Sequence, residues 1–146
     1  MSYLQVQELA RIENEFEAVK ASVGYLERLW PGLINERDFR GLKFLQVQAA
    51  AANIEITYIV RPFSVFESIL RDILPVRISG GPDRRSVYDL INRSASKWRI
   101  SVAVRDEAHQ IREFRNQFVH HNNVNTSPVL FADAVAALNR FLIWLP

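Results

Sequence analysis

The sequence predicts an all-α fold, an antiparallel up-and-down bundle of about five helices formed by residues 1–146 as a single domain. Three observations carry that reading. Apolar residues recur at alternating steps of three and four through every long segment, the period of a helix face. Glycine and proline cluster between those segments, and no pair of segments alternates with the period of a strand. Apolar residues make up 49% of the chain, enough to fill a bundle interior, yet no apolar run reaches the ~20 residues of a membrane span.

The first helix is read from Leu9, Ile12, Phe16, Val19, Val23, Leu26 and Trp30, and Pro31-Gly32 is expected to end it. The second carries Leu42, Leu45, Ala49, Ala52, Ile56, Ile59, Phe63, Phe66, Leu70 and Ile73. Pro62 lies within it, and because the spacing survives across the proline, a kink is expected there rather than two helices. Pro75 closes the segment, and residues 75–85 form the long loop. A shorter helix follows from Ser86 to about Trp98, with Val87, Leu90, Ile91, Ala95 and Trp98 inward. The fourth runs from about Val102 to Val119 and gives way to the asparagine-rich stretch Asn122–Asn125. Ser127 has the chemistry of an N-cap with Pro128 at the first helical position. The last helix turns Phe131, Val135, Leu138, Leu142 and Leu145 inward.

Composition narrows the function. The chain has no cysteine, which excludes disulfides, thiol catalysis and zinc–thiolate sites. Its N-terminus lacks a signal-peptide pattern, so a cytoplasmic protein with no membrane association is expected. Basic residues number six against eight acidic in residues 1–60, but twelve against eight in 61–146, and fifteen of the eighteen are arginine. Arginine's planar fork suits phosphate, although base composition alone can produce such an excess.

The fourth helix breaks its own pattern. Val104, Ala108, Ile111 and Phe118 fall on one stripe, and the position that would fill the gap is Arg115. A charge on a buried stripe must be paired or reach an opening, because an unpaired buried charge costs several kcal/mol. Asn116 and His120 follow at i, i+4 on one face. Arg115 and His120 stand about 140° apart on an ideal helix. They meet on one phosphate only if the helix frays near Val119, or if a second copy of the chain supplies its own pair.

At Arg115, Asn116 and His120 the chain resembles the HEPN domain family. That family's hallmark is an arginine, a polar residue that is often asparagine, three further residues and a histidine, near the end of a late helix in a small all-α bundle. The order of two long helices, a short third, the motif helix and an amphipathic last helix extends the resemblance over most of the chain. Phe66-Glu67-Ser68-Ile69-Leu70-Arg71 also looks like the acidic-residue-bearing helix of several prokaryotic members. The resemblance implies a metal-independent endoribonuclease acting as a homodimer, commonly a toxin or defence effector controlled by an antitoxin or other regulatory protein. Arg115, Asn116 and His120 are then the catalytic residues, and Arg112, His121, Arg84 and Arg85 the candidate RNA contacts, with no metal or other cofactor. Some family toxins carry a tyrosine two residues after the histidine as a nucleotidylation acceptor. Asn122 occupies that position here, so that mode of control is not expected.

Plainer readings stand beside these. Arg115 can fix helix register through an ion pair with Glu67, and His120 can cap a helix C-terminus. Glu67 pairs most simply with Arg71, and His109 with Glu113 makes an ordinary surface pair rather than a metal grip. A catalytically silent HEPN module that binds a nucleotide or a partner protein is the alternative function, and a plain helical interaction protein a third.

Overall fold

The computed structural model describes residues 3–33, 41–74, 85–120 and 129–146, without the side chains of residues 3, 4, 6, 119 and 120. It contains five helices: α1 (Tyr3–Leu33), α2 (Phe44–Ile73), α3 (Val87–Lys97), α4 (Val102–His120) and α5 (Phe131–Leu142). The chain is an all-α helical bundle. Among the described residues no helix is long and apolar enough to cross a membrane.

The two long helices pair antiparallel along their whole length. Gln5 donates to Asp72 at 2.8 Å, Glu15 meets Tyr58 and Arg61, Lys20 meets Glu55 at 2.6 Å, and Trp30 stacks on Phe44. The short helices cover only one half of this hairpin. Phe131 packs on Phe16 and Tyr58 while Phe141 packs on Phe66, so α5 runs in the same direction as α2. α4 runs antiparallel to α3, through Tyr88–Arg112 and Asn92–His109, and it meets α5 through Arg140–Glu107. One core forms where α1, α2, α3, α4 and α5 converge, from Ile12, Phe16, Ile59, Phe63, Phe66, Ile69, Leu70, Leu90, Ile91, Ala108, Phe131, Leu138 and Phe141.

Several expectations need correction. Pro31-Gly32 does not end α1, which continues to Leu33. Pro31 forgoes only the one bond its N–H would make to the Glu27 carbonyl, and Trp30 beside it is buried. α2 does pass through Pro62 as one helix, as the unbroken spacing predicts. In its first half the buried face is Val47 with half-buried Ala51, Ile54 and Tyr58, whereas Leu42, Leu45, Ala49 and Ala52 are exposed. The reason is length. At 1.5 Å per residue, α2 is about 45 Å long and α5 only about 18 Å, so the stripe outruns its cover.

On α4, Phe118 is likewise exposed and Phe114 takes its place in the core. The last helix begins at Phe131 with Leu130 as its N-cap, not at Pro128, and the Glu55 carboxylate accepts the Phe131 N–H at 2.7 Å. A side chain from α2 thus supplies the cap that a local serine was expected to give. Ser127 and Pro128 themselves lie outside the described residues.

Candidate functional site

α4 forms because Val104, Ala108, Ile111 and Phe114 offer an apolar face to α2, α3 and α5 while its arginines and carboxylates alternate outside. Ser101 starts it by accepting the Val104 N–H at 3.4 Å. The helix is regular through His120. There is no fray at Val119, so Arg115 and His120 keep their separation of about 140° around the axis.

Arg115 is half-buried beside α2. Its guanidinium carbon stands 5.6 Å from the centroid of the Phe63 ring, Nη1 donates to Asn116 Oδ1 at 2.9 Å, and Nε is buried with no partner among the described residues. No described carboxylate pairs with it. The contrast with other half-buried arginines is informative. Arg61 sits on Glu15, Arg71 on Glu67, Arg105 on Asp106 and Arg112 on Glu113. In particular Glu67 is engaged by Arg71 at 2.6 Å, so the register-fixing Glu67–Arg115 pair is not formed.

Comparison of the chain with protein-family models, with curated proteins and with solved structures gives no match.

The remaining candidates divide by position. Arg115 and Asn116 are brought together. Asn116 lies one turn from Arg112 and one turn from His120, so Arg112, Asn116 and His120 follow one i, i+4 ridge of α4. The His120 side chain, like His121 and Arg84, lies outside the described residues. Arg85 is tied to the end of α2: its Nη2 donates to the Leu74 carbonyl, and its own carbonyl accepts from Arg71. Among the described residues no three His, Asp or Glu side chains gather as a metal site would require.

A polar cluster between α3 and α4 adjoins the ridge. The Arg112 guanidinium lies over the Tyr88 ring at 5.2 Å, and the His109 ring packs on Tyr88 at 4.7 Å. His109 Nε2 is 3.2 Å from Asn92 Oδ1. Burial, reinforced by Arg112 and Arg105, holds the His109 imidazole below its ordinary pKa of 6.5, so the ring is neutral at pH 7. Neither Phe63 nor Tyr88 stood out in the sequence as a site residue. Phe63 reads as core and is core. Tyr88 carried a weak signal, an aromatic off the Val87–Leu90–Ile91 stripe of its own helix.

Proposed function

We propose that this chain is a HEPN-type, metal-independent endoribonuclease that cleaves RNA by attack of a ribose 2′-hydroxyl on the adjacent phosphate. The observation that carries the reading is Arg115. It is half-buried, laid over Phe63, steadied by Asn116 and without a carboxylate among the described residues, so its charge is available to an anion. The placement of the motif in the last turns of the fourth of five helices supports the same reading.

The chemistry follows from these residue types. The 2′-hydroxyl gives up its proton to a base as its oxygen bonds to phosphorus. The P–O5′ bond breaks, and a proton passes to the leaving 5′-oxygen. The products are a 2′,3′-cyclic phosphate and a 5′-hydroxyl. Histidine is the side chain suited to both transfers at neutral pH, and His120 takes that part. Arg115 faces the charge that grows on the phosphoryl oxygens. Because α4 stays regular through His120, the complete site takes Arg115 from one copy and His120 from a second across a two-fold axis.

The test is incubation of the purified protein with generic single-stranded RNA, with and without EDTA. Cleavage that survives the chelator supports the proposal. Binding without cleavage identifies the catalytically silent module instead.

A further inference from the structure

Tyr88 is an exposed aromatic packed against Arg112 of the motif ridge. It stands at the second position of α3, off the buried Leu90–Ile91–Ser94–Ala95 face, and 52% of its surface is open. Its contacts come from α4, where Arg112 lies over the ring and His109 packs beside it. The phenol hydroxyl makes no hydrogen bond among the described residues. A large ring, packed against an arginine and a histidine yet about half exposed, is the arrangement that accepts a nucleobase.

Its position gives this a direction. Arg112, Asn116 and His120 span about 12 Å of the α4 axis, with Tyr88 at the Arg112 end and the reacting phosphate at the His120 end. A single strand lying along this ridge passes Arg112 before it reaches Tyr88. Arg112 Nε is buried and unpartnered among the described residues, and its one carboxylate, Glu113, is more than half exposed and so holds it weakly.

We infer that Tyr88 and Arg112 form a nucleobase-stacking subsite for single-stranded RNA, one or two nucleotides from the bond that is cleaved. The inference rests on the ribonuclease reading of the Arg115–His120 motif. Tyr88 binds and positions the strand, and takes no part in proton transfer. The stack is indifferent to base identity, since every base offers a π-face.

The experiment is binding of a short fluorescein-labelled 2′-O-methyl RNA, which lacks the attacking hydroxyl and cannot be cut by this route. Fluorescence anisotropy is measured for the wild type, Tyr88→Ala, Tyr88→Leu and Tyr88→Trp. Tyr88→Ala and Tyr88→Leu weaken binding by about 5- to 150-fold, the range for loss of one base stack, while Tyr88→Trp retains it. An abasic scan of the oligonucleotide against wild-type protein finds one position whose missing base costs a similar factor. In Tyr88→Leu that position becomes silent.

A scan in which no position costs more than twofold overturns the subsite, and it needs no variant to fold. So does a Tyr88→Leu loss that is the same for intact and abasic strands. Because binding is read apart from cleavage, the two readings fail separately. A protein that cuts RNA but shows no sensitive base loses the subsite alone. A protein that shows the coupled base but cuts nothing loses the ribonuclease reading alone.

Discussion

An arginine above a phenylalanine ring gains a cation–π contact but still needs an anion or water for its remaining donors. Among the described residues the Arg115 guanidinium is engaged by Phe63 and Asn116 and by no carboxylate, so its role is open to a ligand in a way that the role of Arg61, locked on Glu15, is not. Arg115→Ala is expected to lower RNA turnover by roughly 10²–10³, the cost of losing one transition-state donor. His120→Ala is expected to lower it by roughly 10²–10⁴, the usual worth of a positioned acid–base group. Neither variant is expected to lose helical circular dichroism. Steady-state turnover with a fluorogenic RNA checks both, and two folded, fully active variants would remove the site assignment. At this scale the sequence was legible where a residue broke its helix's pattern, as Arg115 does. It was silent where the partner came from far along the chain, as Phe63 does for Arg115 and Glu55 for Phe131.

Whole helices were easier to read than their ends and their exposed faces. The stripes of α3 and α5 lie inward as their spacing requires, because those helices are short enough to be covered throughout. The stripe of α2 follows the core from Ile56 onward. A spacing of three and four marks an apolar face but not how far along it other helices reach. The start of α5 shows the same limit. Its cap is Glu55, which also holds Lys20 at 2.6 Å.

Burial pushes the Glu55 carboxyl upward, but the hydrogen bonds from Lys20 and the Phe131 N–H outweigh it and leave it below the ordinary value of 4.5. A carboxylate whose folded pKa is depressed stabilises the fold above the unfolded value and loses that contribution as the pH falls through the folded one. Glu55→Ala is therefore expected to cost about 1 kcal/mol at pH 7, as the loss of a helix cap does. That corresponds to a fall in Tm of about 2–4 °C for a domain of this size. The difference from wild type narrows as the pH drops below 4.5. Thermal melts of both proteins between pH 7 and pH 3 measure it. A gap that stays constant across that range would show that the carboxylate is not the capping group.

The molecule as a whole is a long α1–α2 hairpin with three shorter helices gathered on one half of it. Positions 115 and 120 stand about 140° apart around α4, so the proposed site is expected to draw on two copies of the chain. Sedimentation at tens of micromolar is expected to show a two-fold homodimer, and a monomer with undiminished RNA cleavage would contradict the shared site.

In the proposed mechanism the substrate supplies the nucleophile, with His120 moving protons and Arg115 meeting the phosphate charge. An oligoribonucleotide with one 2′-deoxy residue at the mapped cleavage position tests it most directly. The substitution removes the attacking hydroxyl and leaves the charge of the strand unchanged, so binding is nearly preserved. Cleavage at that bond is expected to stop while other bonds are still cut in the presence of EDTA. Cleavage at the deoxy position at the normal rate would contradict it, because water and not the ribose would then be the nucleophile.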